Sequence, residues 1–382
     1  MKKVFRAASA ALVVFTPLLL AQGTGKPAKP AGTPAPAGGM SVSTSTAKPP
    51  SGSKPAEIQD IRLVSHETED PYELERLGVA AATANELARA REFLERAWKV
   101  GELPSAAFNL ACVDVREAKH DAAFQHLEKA VGAGFDEDDN LLKDADLAPI
   151  RDKAKFASIL SAAKKNRATG DAAVVTEGTF VGPGRTPSAI LVVLHDVSSD
   201  PFTAAGPFTT EAKGRGLFLA VPRGPARAGR RRFGWGNPDR AIAAVEAAVN
   251  AAKKKAGNAS LPVLLVGVGR GGTIALAEGA RKPGEFAGVA SIGGPFDSGL
   301  AKGGSGLSGA RLFLGIPRDA PPNLISAFRN GRDMLGRAGA HPAYTEWPGA
   351  GTAFPKNVPQ AVKEALDSLT GTGARNPPVK PV

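Results

Sequence analysis

Residues 261–280, LPVLLVGVGRGGTIALAEGA, constrain this chain more than any other stretch. The apolar, β-branched run at 263–266 is long enough for a buried strand. A tight Gly-rich turn follows, then an Ala/Leu-rich segment that reads as a helix packed closely on that strand. Two chemistries use a strand–turn–helix of this kind. In G-x-S-x-G a sharp turn lifts a Ser hydroxyl above a sheet as a nucleophile. In G-x-G-x-x-G the glycines let backbone amides approach a pyrophosphate. Both patterns can be laid on Gly267, Val268, Gly269, Arg270, Gly271 and Gly272, and only the second matches letter for letter.

The order of elements favours the first. A dinucleotide-binding half places its Gly-rich turn after its first strand and wants an acid about 20 positions on, at the end of the next strand. Here strand-like runs at 189–194 and 217–221 precede the turn, and the next strand, 288–292, ends in Gly293 and Gly294 with no acid. Further strand-like runs lie at 311–315 and 344–347. Helical segments at 239–256, at about 322–337 and up to 369 separate or follow them. Lys253, Lys254 and Lys255 close the first of these helices, where cations suit the helix dipole. Strands spaced by helices imply a mostly parallel sheet covered on both faces, so the expected class of 172–370 is α/β. Residues 167–171 read as the link that leads into it.

Residues 57–168 have helical periodicity. Ala90, Leu94 and Ala97 recur as Ala123, Leu127 and Ala130, each pair 33 positions apart, near the period of a repeated helical hairpin. Ahead of the second set, Leu110 and Ala111 supply the large-then-small pair that lets one helix approach its partner. This segment resembles tetratricopeptide repeats, specifically a terminal unit, and 141–160 resembles the tail that closes such arrays. The resemblance implies an all-α domain that meets a protein partner. So few repeats are marginal alone, so the module is expected to lean on its neighbour. Cys112 reads as a packed thiol. His120 and His126 read as surface residues, since no further ligands at suitable spacing suggest a metal site.

The N-terminus speaks to compartment. Lys2, Lys3 and Arg6 precede an apolar run at 7–21, and Ala21, Gln22 and Gly23 offer a small-residue cleavage site, the layout of a signal peptide over 1–23. No Cys lies near that site, which excludes a lipoprotein anchor, and a single cysteine in the chain excludes an intrachain disulfide. Residues 24–56 are Pro, Ala, Gly, Ser, Thr and Lys with almost no large apolar side chain, the composition of a disordered linker. The expected location is secreted or periplasmic, with no transmembrane span after processing. The net charge of +11 on 382 residues then points to acidic envelope polymers or acidic protein partners, or to simple solubility charge. Nucleic acid is not expected in that compartment. Residues 371–382 read as a disordered tail.

Four segments of the second half resemble α/β-hydrolases of the phospholipase/carboxylesterase branch. LVVLHDVSSD at 191–200 looks like their first strand and oxyanion-side loop, which commonly reads LHG. PRGPARAGRRRFGWG at 222–236 looks like the loop after the next strand, and the elbow falls mid-domain. Residues 312–319 look like the strand and turn that carry the acid, and WPGAGTAFP at 347–355 like the loop that carries the His, where PGxGHxFP is common. Carried over position by position, the resemblance implies a broken triad. Gly269 stands at the nucleophile, Thr352 at the base, and Asp319 alone remains as the acid. Asp196, next to His195 in the oxyanion-side loop, replaces the expected Gly and puts the hole in doubt. His195 reads as structural and His341 as solvated, while Arg270 reads either as an exposed cation that suits a carboxylate or as a plain surface-loop residue. No cofactor and no metal are expected. The favoured function is an exported, catalytically inactive binding or scaffolding protein. An active ester or acyl hydrolase with non-standard residues, and a nucleotide or small-ligand binder, remain as alternatives.

Overall fold

The computed structural model describes residues 69–371 apart from 198, 231, 303–306, 308, 350–353 and 356. The leader expected at 1–23, the linker at 24–56, the start of the helical domain at 57–68 and the tail from 372 lie outside the described residues.

The described chain begins with two helical hairpins, α1 (Pro71–Thr83) with α2 (Leu87–Gly101) and α3 (Pro104–Arg116) with α4 (His120–Gly132). Asp70 starts the first, its Oδ1 accepting from the amides of Tyr72 and Glu73, with Pro71 inside the first turn where its missing N–H costs nothing. The 33-residue recurrence falls on the second helix of each hairpin: Ala90, Leu94 and Ala97 on α2, and Ala123, Leu127 and Ala130 on α4, are all buried. α5 (Asp138–Lys143), a 3-10 turn (Ala145–Ile150) and α6 (Ala154–Thr176) cover the second hairpin. Phe108 stacks on Phe135 at 4.7 Å inside a core closed by Leu127, Leu141, Leu147, Phe156 and Ile159. His126 is not the free surface residue expected. Its Nδ1 lies 2.6 Å from Oδ2 of Asp114, a fully buried acid whose Oδ1 accepts from Arg91 at 2.6 Å.

The link expected at 167–171 is absent, because α6 runs unbroken through it to Thr176. Gly170, inside that stretch, serves a close approach. A Cβ there would overlap the carbonyl oxygen of Pro225 and come within 2.9 Å of Arg240 Nη2. The helix therefore belongs to two cores, packing Phe156, Ile159 and Ala163 among the helices and Val174 against the sheet.

The sheet has seven strands in the order β1-β3-β2-β6-β7-β8-β9: β1 (Thr179–Val181), β2 (Ala189–Leu194), β3 (Leu217–Val221), β6 (Val263–Val268), β7 (Phe286–Ile292), β8 (Arg311–Pro317) and β9 (Ala343–Trp347). Only β1 runs antiparallel to its neighbour. The α/β class expected from the sequence is thus the class observed. α7 (Pro201–Gly214) and α11 (Val358–Thr370) cover one face, α8 (Pro238–Ala256), α9 (Arg270–Arg281) and α10 (Pro322–Arg337) the other. β2 is wholly buried, sending Ile190, Val192 and Leu194 into one core and Leu191 and Val193 into the other. Each such side chain contributes about 1.5–3 kcal/mol by leaving water. Three elements were not legible: the edge strand β1, the helix α7, and a hairpin of β4 (Ala226–Gly229) with β5 (Arg232–Gly234) inside the 222–236 loop. Among the described residues no helix is long and apolar enough to cross a membrane.

One arginine ties the helical array to the sheet. Arg240, at the start of α8, reaches Asp136 Oδ2 at 2.9 Å and Asp171 Oδ1 at 2.5 Å, and donates to the carbonyls of Arg167 and Pro225. Arg240 and Asp136 are both buried, and burial still holds the Asp136 carboxyl above its usual range despite the guanidinium beside it. Losing one partner of a buried pair costs about 3–5 kcal/mol. Because Asp136 can then take up a proton, Arg240→Met should cost about 3 kcal/mol in urea unfolding, the low end of that range. A cost below about 1 kcal/mol would show that this arginine does not hold the array.

Two further acids make the array sensitive to pH. Burial pushes Glu75 on α1 and Glu137 ahead of α5 up to about 7 from the ordinary 4.5. The folded chain therefore holds protons there that the unfolded chain has released, so this contribution to stability is lost as pH rises through 7. Buried His195 acts in the opposite sense, but only below its ordinary value of 6.5. The urea midpoint should therefore fall between pH 6.5 and 8, and Glu75→Gln should flatten that fall. A midpoint that rises over this interval would contradict the assignment.

Candidate functional site

β6 is the middle strand of the sheet and ends in the turn that carries Gly269. Gly269 has φ 52° and ψ −124°, a left-handed backbone that a residue with a side chain holds only at a cost of about 1–3 kcal/mol. Its N–H donates to Ile292 O at 2.8 Å, and its own carbonyl accepts from Gly272 N at 2.9 Å as α9 begins. The turn is tight because backbone lies on backbone. A Cβ at Gly267 would overlap Gly271, and one at Gly271 would overlap Leu194 O and stand 2.6 Å from His195 O. These glycines let α9 start directly above β2 and β6, which accounts for the literal dinucleotide pattern without a nucleotide.

The space over Gly269 is occupied. A Cβ placed there would overlap Oδ1 and Cγ of the carboxyl of Asp196, which follows the end of β2. Asp196 Oδ1 accepts from Val197 N at 2.8 Å and from Arg270 N at 3.0 Å. Arg270 N–H is the amide directly after position 269 and sits at the positive end of α9, where an anion is favoured. Burial pushes the Asp196 carboxyl up from 3.8 to about 6, and the two N–H bonds pull the other way. At neutral pH it is therefore chiefly the carboxylate. The residue is half-buried in all, with its charged end packed on the elbow.

His195 is structural. It has no exposed surface, its Nε2 accepts from Gly224 N at 2.9 Å, and its Nδ1 lies 2.6 Å from the carbonyl oxygen of Asp196. Since Nε2 accepts, Nδ1 carries the proton and donates to that carbonyl. Burial holds the ring down to about 4, so it stays neutral at physiological pH. Trp235 packs on it at 5.0 Å and donates its Nε1–H to His195 O at 2.9 Å. The loop after β3 thus clamps the imidazole, and the imidazole sets the backbone from which Asp196 projects.

The other expected positions are placed as follows. Asp319 follows β8, two strands from the elbow, and is exposed; its N–H donates to Gly349 O at 3.1 Å, beside the loop that leads to position 352. Thr352 itself lies outside the described residues. His341 is exposed. Arg270 is half-buried rather than the exposed cation expected. Burial holds its guanidinium below the ordinary value, and its backbone amide, not its side chain, meets the carboxylate. The structure therefore brings together Asp196, Val197, Gly269 and Arg270. The sequence marked Asp196 only as a missing Gly, and nothing in the pattern showed that its side chain returns to the elbow. Elsewhere, Cys112 Sγ, Asp144 and Asp146 converge within 4.8 Å. Burial pushes that thiol well above its usual value, and Asp144 already caps the 3-10 turn by accepting from Asp146 N.

No protein-family model matches the chain, and no curated protein sequence matches it. Solved structures do resemble it. An uncharacterized protein from Bacillus cereus ATCC 10987 is 12% identical over 79% of this chain and 99% of its own, with a TM-score of 0.42. A carboxylesterase from Bacillus cereus is 13% identical over 50% of this chain and 93% of its own, also at 0.42. A dienelactone hydrolase from Anabaena variabilis ATCC 29413 is 17% identical over 51% of this chain and 90% of its own, again at 0.42. Likeness at this level assigns no activity.

The overlap of position 269 with Asp196 has a measurable consequence. Gly269→Ala should destabilise by roughly 2–3 kcal/mol, from the positive φ and from the displaced carboxylate. Asp196→Gly should remove the second part only, so the double-mutant cycle should show a favourable coupling of about 1 kcal/mol. Strict additivity would mean that Asp196 does not stand over the elbow.

Proposed function

We propose that this chain is an exported, hydrolase-like binding or scaffolding protein that does not turn over esters. The observation that carries the reading is the Asp196 carboxylate, seated where a nucleophile on residue 269 would project and bonded to the amides of Val197 and Arg270. An α/β-hydrolase needs an activated hydroxyl at that place and free amides to receive the oxyanion. Here the first has no side chain and the second are taken by an internal anion. The reading is supported by the left-handed turn after the middle strand, by the parallel order around it and by the sequence resemblance of the four loops. The tetratricopeptide-like array is the surface assigned to a protein partner, and the basic charge suits an acidic envelope polymer. No cofactor and no metal have a part in it. Export rests on the charged and apolar leader.

A serine-reactive fluorophosphonate tests the reading at pH 7.5. The purified protein should remain unlabelled, and an activated ester should show no burst. Loss of the working groups of a triad costs on the order of 10⁶ in turnover. Gly269→Ser with Thr352→His should also stay silent, because Asp196 still fills the space. Adding Asp196→Gly is the change that should first allow labelling at 269. Stoichiometric labelling of the unmodified protein at any serine overturns the reading and returns the chain to the ester hydrolases.

A further inference from the structure

Away from the elbow, one cluster in the helical array lacks a positive charge. Cys112 lies on α3, one turn before its end, and is 7% exposed. Its Sγ and carboxylate oxygens of Asp144 and Asp146, at the start of the 3-10 turn, all lie within 4.8 Å of one another. Asp144 uses Oδ1 to accept from the amide of Asp146, which leaves Oδ2 3.9 Å from the sulfur. The Asp146 carboxylate makes no hydrogen bond and no ion pair with any described residue. The nearby cations are engaged elsewhere. Arg116 donates to Ala82 O and Asn85 Oδ1, and Arg151 to the backbone carbonyl of Asp144 rather than to its carboxylate. One weak S–H donor, nine-tenths buried, therefore faces two carboxylates. Like charges this close disfavour each other, and a cation among them reverses that sign.

We propose that Cys112, Asp144 and Asp146 are a structural zinc site that staples α3 to the 3-10 turn. The donor set selects the metal. A thiolate suits neither Mg2+ nor Ca2+, which take oxygen, and two carboxylates do not suit Cu+, whereas Zn2+ accepts both kinds of ligand. Zn–S is about 2.3 Å and Zn–O about 2.0 Å, so sulfur and oxygen stand about 3.5 Å apart across a tetrahedral angle. The 3.9 Å between Sγ and Asp144 Oδ2 is only slightly wider. Zinc takes four ligands, and the half-buried Asp144 and Asp146 leave the fourth place to water. On binding, the S–H bond breaks, the sulfur gives its electron pair to the metal and the proton passes to water. The sulfur and Asp144 lie 32 positions apart in the chain, so no short motif marks the site. It belongs to the core of the array, beside Phe108 and Leu147, and is independent of the reading of position 269.

Cobalt substitution of the full chain tests this. Cys112 is the single cysteine, so a thiolate-to-Co2+ charge-transfer band can come from no other residue. Protein stripped of metal should take up one equivalent of Co2+ with that band, and Zn2+ should displace it. Saturating Zn2+ should raise the thermal midpoint by about 5 °C, and a chelator should reverse the rise. Cys112→Ser should lose both the band and the Zn2+-dependent rise. Asp146→Asn, a neutral isostere at a half-buried position, should weaken Zn2+ binding by more than about 100-fold. A chain that takes up no Co2+, or takes it up without the band, overturns the site. So does an Asp146→Asn protein with wild-type Zn2+ affinity, or a thermal rise that persists in Cys112→Ser. Fluorophosphonate labelling reads none of these quantities, so the zinc site and the non-catalytic reading fail separately.

Discussion

At the end of β6 the chain turns so tightly that backbone packs on backbone, and the first turn of α9 rests on the carbonyls that end β2. Interiors are close-packed, and three of the residues at this contact have no Cβ, so it admits almost no adjustment. β6 and β2 pair directly, which brings the end of β2 under the start of α9. The loop that follows β2 then has one place to go: over the elbow. Asp196 is its second residue, and its carboxylate meets the amide dipoles of the helix start there.

The imidazole beneath it makes that placement rigid. His195 joins the end of β2 to the loop after β3: its Nε2 accepts from Gly224 N, its carbonyl accepts from Trp235 Nε1, and its Nδ1–H donates to the carbonyl of Asp196. A neutral ring has one donor and one acceptor, and both are used. A charged imidazolium would leave Gly224 N–H without an acceptor, which agrees with the depressed basicity of the ring. The residue that resembles a catalytic base by type is thus a structural bracket, and the acid beside it carries the only charge delivered to the elbow amides among the described residues.

The same loop reaches the helical array. Pro225 O accepts from Arg240, which pairs with Asp136 and Asp171 of the array, and Gly224 is bonded to His195. Helix α6 crosses this point at Gly170, where the absence of a Cβ permits contact with Pro225. Helices and sheet are therefore packed through a shared helix and a buried ion cluster rather than joined by a flexible segment. Buried ions are expensive to desolvate, so such a cluster acts more as a specification of geometry than as a large gain in stability.

Much of this was written in local sequence. The apolar strand runs, the 33-residue spacing of small residues and the Gly turn each obey short-range rules of periodicity and backbone freedom, and they appear where the pattern put them. The vacancy at Gly269 is likewise a fact of sequence alone, since glycine has no side chain in any fold. Other features needed the third dimension. The stretch 167–171 read as a link, because sequence does not show that Pro225 O is pressed against Gly170 within an unbroken helix. His126 looked free because Asp114, one helix away, is its partner. The occupation of the elbow could not be seen, because it joins residues 196 and 269 across a parallel strand pair, and pairing of that kind leaves no mark on neighbouring residues. Sequence determined that position 269 has no nucleophile; only the packing of β2 beside β6 decided that a carboxylate stands in its place.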